Sequence, residues 1–356
     1  MKRIVDVAAR VARRPAVGST PAEVVLRENK WRLLRYHRQG APLKHSTPVL
    51  LVPSLINRHY VLDLLPGRSF VEYLVQQGHD VFLIDWGTPG AEDRFLTFET
   101  FCDRYLGRAL RATCRASAQA KAHLLGYCLG GTLAAIHAAV YPKHVASLTA
   151  LAAPIDFHDQ GLLSIWTRSR SFNVDALVNA FGNVPWPLMQ LSFQLLKPTM
   201  NFVKLKQLIE RSNDDVFLDT FFAIETWGTD AVSFPGECYR RYIKALYKDN
   251  ALMQGSFTLG GRPARLEDIQ CPTLSVSLEH DHIVPWQSCA ALVDRVGGPV
   301  SEHLHLPGGH VGAVIAKRAA KVLWPQLSDF WQRHEVRPTS PELVREAPPA
   351  PSKMTA

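Results

Sequence analysis

The chain has 356 residues, 47% of them hydrophobic and 20% charged, with a formal net charge of +8 at pH 7. That balance describes a soluble globular protein with a large core, and no run of about 18 apolar residues is present to form a transmembrane segment. The basic residues are scattered without zinc-finger spacing or a long Lys/Arg run, which argues against nucleic acid and suits a phosphorylated substrate.

The first residues, MKRIVDVAARVARR, lack the apolar stretch of a secretory signal and read as a solvated basic segment. Six cysteines (Cys102, Cys114, Cys128, Cys238, Cys271, Cys289) are widely spaced with no CxxC. Without a signal peptide this predicts free thiols in a reducing cytoplasm, most of them packing residues.

From about residue 48 the pattern alternates. PVLLVPSL (48–55) is a buried strand and RSFVEYLVQQG (68–78) a helix ending at Gly. DVFLIDWG (80–87) is a strand, and residues 97–117 are a long helix. AHLLGYCLGG (122–131) is a strand running into a glycine-rich turn, TLAAIHAAVYP (132–142) a helix, and residues 145–157 a strand. This order implies a mostly parallel sheet flanked by helices. Between residues 158 and 262 the alternation stops, and aromatic, Pro-containing helical stretches predict an inserted cap. Alternation resumes with a strand at 271–281, a helix near 286–296, a strand at 301–310 and a helix at 312–334. The expected organisation is an N-terminal extension (1–45), an α/β core in two parts (46–157 and 263–335) around the cap (158–262), and a disordered Pro-rich tail (336–356).

Gly126-Tyr127-Cys128-Leu129-Gly130, followed by Gly131, is G-x-C-x-G in a strand-turn-helix context. This is the nucleophile elbow of the α/β-hydrolase fold with Cys in place of Ser; small residues flank the nucleophile because side chains there would clash. The following helix N-terminus favours thiolate and a developing oxyanion. In this fold the chain order is nucleophile, acid, histidine. Asp281 and His310 fall on loops after later strands, so the expected catalytic set is Cys128, Asp281 and His310. The oxyanion donors should be the backbone N–H groups of Leu129 and of Leu55, with Ile56 next in line.

Glu279 and Asp156 are alternative acids, and Asp85 suits a structural hydrogen-bonding role. His280-Asp281-His282 read as a metal cluster is disfavoured because neighbouring side chains at a strand end point opposite ways. No metal site is expected. His303 and His305, alternating along a strand, read as face residues. Ile56, Tyr127, Trp227 and His282 are candidate substrate contacts.

Several separate motifs then match one family in order. Ser54-Leu55-Ile56-Asn57-Arg58-His59-Tyr60 with Leu62-Asp63-Leu64, Val81-Phe82-Leu83-Ile84-Asp85-Trp86-Gly87 and the elbow GYCLGGT (126–132) resemble segments of the polyhydroxyalkanoate synthases. So do Trp227-Gly228-Thr229-Asp230, Pro235-Gly236-Glu237, Asn250-Ala251-Leu252, Asp281-His282-Ile283-Val284-Pro285 and Gly309-His310-Val311-Gly312. The similarity spans roughly residues 20–335. It looks like the short, two-subunit type of synthase.

The resemblance implies an acyltransferase that polymerises (R)-3-hydroxyacyl-CoA through an acyl-Cys128 intermediate. It implies no cofactor beyond the CoA thioester used as substrate. The implied partners are the growing polyester, a second copy in a homodimer, a non-homologous second subunit and the polymer granule surface in the cytoplasm. Two other readings stay open: a Cys-dependent thioesterase or depolymerase on the same fold, and a non-catalytic granule scaffold.

Overall fold

Strands β1 (Ala22–Glu28), β2 (Trp31–Tyr36), β3 (Val49–Val52), β4 (Val81–Asp85), β5 (Ala122–Tyr127) and β6 (Val145–Leu151) are followed in the chain by a two-stranded hairpin, β7 (Thr258–Leu259) and β8 (Arg262–Pro263), and then by β9 (Thr273–Leu278) and β10 (Ser301–Leu306). The computed structural model describes residues 15–336. Every residue of β3, β4, β5 and β6 is buried. Near-continuous Val/Leu/Ile runs require cover on both faces, and a parallel sheet with helices on each side provides it.

Eight strands form one sheet in the order β1-β2-β4-β3-β5-β6-β9-β10. Pairings from β4 to β10 are parallel, while β1 with β2 and β2 with β4 are antiparallel. The chain places β4 on one side of β3 and then returns to place β5 on the other. That reversal opens a crevice at the C-terminal ends of the strands, where ligands of open α/β sheets bind.

The helix predicted over 68–78 runs Phe70–Gln77; Ser69 Oγ caps it by accepting from the Glu72 N–H at 2.8 Å, and Gly78 at φ 93° ends it. The predicted 97–117 helix opens instead with a π-helical segment, Thr100–Tyr105, before the regular helix Leu106–Ala116. The buried positions Phe101, Cys102, Tyr105, Leu106, Ala109 and Leu110 recur every four residues, close enough to helical spacing that the apolar pattern reads as one regular helix. The strand expected at 301–310 stops at Leu306, where Pro307 withdraws a backbone donor and Gly308 turns at φ 151°. The 312–334 helix is two helices, Gly312–Ile315 and Lys317–Arg333, broken at an extended Ala316 and tied by Trp324 Nε1 donating to the Ala313 carbonyl at 2.8 Å.

Strands β1 and β2 lie inside the stretch read as an extension. Their signal was the alternation in Trp31-Arg32-Leu33, which buries Trp31 and Leu33 and sends Arg32 to the Asp85 carboxylate. Between β6 and β9 the chain builds the helices Leu162–Arg168, Val174–Phe181, Trp186–Leu195, Met200–Glu210, Asp215–Thr229 and Gly236–Arg241. Among the described residues no helix is long and apolar enough to cross a membrane. The basic start of the chain (1–14) and the tail (337–356) lie outside the described residues.

Buried histidines mark the core. Burial pushes His79 and His123 down to about 3, with neighbouring histidines adding repulsion; His137 falls to about 4, also through burial, against a raising hydrogen bond to the Cys102 carbonyl. His123 Nδ1 pairs with Ser147 Oγ at 2.7 Å and its ring stacks on Trp331. The unfolded chain therefore takes up protons below pH ~6.5 that the folded chain refuses until pH reaches the depressed values. Each such histidine should lower stability by about 1.4 kcal/mol between pH 7.5 and 5.5. In His123→Gln, chemical denaturation at the two pH values should show a stability difference smaller than wild type by that amount; an unchanged difference would refute the assignment.

Candidate active site

Strand β5 ends at Tyr127 and the next helix, Leu129–Val140, begins at Leu129, so a single residue makes the turn. Cys128 takes φ 56° and ψ −132° to do so, a backbone conformation that costs a residue with a Cβ. The turn also brings chain segments together. A Cβ on Gly126 would stand 2.3 Å from Gly131 Cα, and one on Gly130 would stand 2.0 Å from the Val52 carbonyl oxygen. Glycine is required at both by close approach. The Cys128 N–H donates to the Leu151 carbonyl at 3.0 Å, and its carbonyl accepts from the Gly131 N–H at 2.8 Å, pinning the turn from both sides.

All six cysteines are free thiols. Burial raises Cys114 to about 12 and Cys271 to about 11, and pushes Cys102, Cys238 and Cys289 well above the ordinary thiol value. Those five are poor nucleophiles. Cys128 is partly exposed and lies close enough to His310 to help raise its imidazole.

His310 reaches the thiol from the loop after β10, and Asp281 meets it from the loop after β9. The His310 Nδ1–H donates to Asp281 Oδ2 at 2.7 Å, with the two side chains 6% and 0% exposed. Asp281 Oδ1 accepts from the Ile283 and Val284 N–H groups at 2.8 and 2.9 Å, so the carboxylate cannot swing. With Nδ1 committed to Asp281, Nε2 is the nitrogen that faces the thiol. Burial works against the imidazolium, but the Asp281 charge, Cys128 and their hydrogen bonds outweigh it and raise His310 well above its ordinary value. Burial likewise favours protonated Asp281, yet His310 and the two amides hold it below the usual carboxylate value. The arrangement is a base joined to a thiol and oriented by a buried anion, which is the requirement for an activated nucleophile.

Leu129 contributes the first amide of its helix, a position with no intrahelical acceptor. Across the site, the turn after β3 holds Leu55 and Ile56, both buried. The Ile56 N–H donates within the loop to Ser54 Oγ at 3.2 Å, which leaves Leu55 as the better donor of the two.

Two cavities meet at Cys128 and share Ile56, Met189, Phe193 and Ile283 as walls. The smaller, about 230 Å³, is lined by Tyr127, Trp227, His282 and His310 together with the cationic Arg58, Lys197 and Lys204. The larger, about 540 Å³, is lined mainly by apolar and aromatic residues, among them Leu163, Phe172, Tyr239, Tyr242 and Tyr247. All four candidate contacts therefore touch a cavity, but two have structural tasks as well. Tyr127 OH donates to the His310 carbonyl at 3.2 Å, and Trp227 Nε1 donates to the Arg58 carbonyl at 3.0 Å.

The alternative residues are engaged elsewhere. Asp85 binds Arg32, His59 Nδ1 at 3.1 Å and the Gly87 N–H at 3.0 Å; Asp156 Oδ1 accepts from Asn250 Nδ2 and the His158 N–H, both at 2.9 Å. Glu279 and His280 are exposed. His303 Nε2 and His305 Nδ1 both lie 2.8 Å from Ser277 Oγ. Sequence reasoning missed Arg58, Lys197, Lys204 and Met189 as cavity residues. Met189, Lys197 and Lys204 lie on two successive insertion helices and the turn between them, and Arg58 lies far from these in the chain, so no local pattern joins all four.

Comparison with known proteins agrees with the fold. A family profile described as alpha/beta hydrolase fold matches residues 47–314, and one described as the poly-beta-hydroxybutyrate polymerase (PhaC) N-terminus matches residues 8–74. The poly(3-hydroxyalkanoate) polymerase subunit PhaC of Haloferax mediterranei is 36% identical over 89% of this chain, which spans 64% of that relative's length. The subunit of the same name from Allochromatium vinosum is 34% identical over 88% of each chain, and that of Synechocystis is 34% identical over 88% of this chain and 85% of its own. Among solved structures, a soluble variant of monoglyceride lipase from Saccharomyces cerevisiae superposes with a TM-score of 0.55 at 13% identity, covering 90% of this chain and 98% of its own. MenH from S. aureus superposes at 0.52 with 15% identity, covering 88% and 100%. Both show the fold alone.

Asp281→Asn keeps an oxygen for the two amides but loses the acceptor for Nδ1–H, so the imidazole turns to the wrong tautomer. Acylation of Cys128 by an activated ester should slow by roughly 10²- to 10⁴-fold with the fold intact. Stopped-flow release of the leaving group checks this, and a loss below about threefold would contradict the orienting role.

Proposed function

The chain belongs to the poly(3-hydroxyalkanoate) polymerase family of acyltransferases, and on that premise we propose that it polymerises (R)-3-hydroxyacyl groups from their CoA thioesters, carrying each acyl group on Cys128. The observation that carries this reading is the place of Cys128: on a strained turn, beside the Asp281-bound His310, where a cationic cavity and an apolar one meet.

His310 takes the thiol proton and Cys128 attacks the thioester carbonyl. The Leu129 and Leu55 N–H groups receive the oxyanion. The bond to the CoA sulfur breaks, the imidazolium protonates that sulfur, and free CoA leaves. A thioester has replaced a thioester, so the acyl group stays activated. A hydroxyl of the chain or of a second substrate then gives its proton to His310 and attacks the acyl-Cys128 carbonyl. The ester forms, and the Cys128 thiolate recovers its proton from the imidazolium. Ester formation from a thioester is downhill and drives elongation.

Arg58, Lys197 and Lys204 suit the phosphates of CoA in the smaller cavity. The larger cavity suits the hydroxyacyl side chain and the polyester. Its aromatic wall, supplied by the insertion acting as a cap, keeps water from the acyl-enzyme, the condition that separates a polymerase from a thioesterase. The helices Trp186–Leu195 and Met200–Glu210 expose Leu191, Leu195, Phe202, Leu205 and Ile209. That uncovered apolar surface supports contact with a second subunit or with the polymer granule.

Purified protein given 3-hydroxybutyryl-CoA, alone and with a candidate second subunit, should release CoA as polymer appears. Both signals should vanish in Cys128→Ala. CoA release with only free 3-hydroxybutyrate would overturn the polymerase reading and leave a thioesterase.

A further inference from the structure

The loop at residues 53–62 carries the proposed oxyanion donor Leu55, and it is held from two sides. On the core side, Trp86 Nε1 donates to the Pro53 carbonyl at 2.9 Å and His59 Nδ1 lies 3.1 Å from Asp85 Oδ1. On the insertion side, both carboxylate oxygens of Asp230 engage the loop. Arg58 Nε donates to Oδ1 at 3.0 Å and Tyr60 OH donates to Oδ2 at 2.9 Å. Asp230 lies at the end of the insertion helix Asp215–Thr229, and Trp227 of that helix donates to the Arg58 carbonyl at 3.0 Å. Gln190, on the insertion helix Trp186–Leu195, ties in by donating to the Gly228 carbonyl at 3.0 Å. The core and the insertion thus hold one loop between them.

We propose that Asp230 is a positioning residue: through Arg58 and Tyr60 it sets the loop that presents the Leu55 amide, so that seating of the cap and assembly of the oxyanion hole are one event. The proposal rests on Cys128 being the acylated nucleophile. It also explains why a half-exposed ion pair sits beside the site. Such a pair contributes little to stability in water, but a small displacement of a catalytic donor costs far more in rate than the pair contributes to folding.

The test compares two reactions of Cys128. Acylation by p-nitrophenyl acetate passes through a tetrahedral oxyanion; alkylation by iodoacetamide does not. In Asp230→Asn and in Tyr60→Phe, which removes the hydroxyl that donates to Asp230, acylation should fall about 10- to 100-fold. Alkylation should stay within about twofold of wild type, with the thermal midpoint little changed. Asp230→Glu, which restores the charge, should recover part of the acylation rate. Equal losses in acylation and alkylation would mean general damage to the site and would overturn the proposal, as would unchanged acylation in both variants. A wild-type protein that is acylated by the ester yet ignores hydroxyacyl-CoA would sink the proposed substrate while leaving this measurement intact.

Discussion

One residue has to turn the chain from β5 into the following helix, and most of the site follows from how that turn is paid for. Cys128 occupies a positive φ because strand and helix are packed too closely for a longer connection. The packing in turn depends on bare backbone at Gly126 and Gly130, where a Cβ would collide with Gly131 and with Val52. The strain lifts the thiol out of the sheet plane to the edge where other strands end. It also leaves the Leu129 amide, at the start of the helix, beside the sulfur with no carbonyl of its own. The proposed nucleophile and the proposed oxyanion donor are therefore products of the same geometry.

The remaining parts arrive by topology. Because β5, β9 and β10 run parallel, the loops after them open on one edge, and Cys128, Asp281 and His310 meet there although 182 residues separate the first from the last. Asp281 is anchored by two amides before it touches His310, and His310 is anchored by Tyr127 at its own carbonyl. Each member is thus held by something other than its catalytic partner, which keeps the geometry when substrate displaces a contact. Burial pushes the thiols of the other five cysteines up, whereas the partly exposed Cys128 shares its cavity with the His310 imidazole.

The core and the expected catalytic set were legible because their signals are local. Apolar runs of β3 to β6, the elbow glycines and the His-Gly and Asp-His loops each occupy a few consecutive residues. Strands β1 and β2 were harder to see. Edge strand β1 has no fully buried residue, β2 between it and β4 carries Arg32 and Arg35 among its apolar positions, and the alternation in Trp31–Tyr36 is short. The π-helical opening at Thr100–Tyr105 is hard to read from the pattern, since its buried positions recur every four residues, close to the spacing of a regular helix. The insertion was visible only as a loss of pattern. What it does at the site depends on contacts between residues far apart in the chain, such as Arg58 with Asp230, and no spacing rule encodes these.

The central claim is that an acyl group passes through Cys128. Rapid acid quench of the protein with 3-hydroxybutyryl-CoA, followed by mass analysis of the digested peptides, tests it most directly. The account predicts a hydroxyacyl adduct on the peptide containing Cys128, formed as fast as CoA is released and absent from peptides carrying the other five cysteines. CoA release at full rate with no adduct on that peptide, or an adduct on another residue, would contradict it.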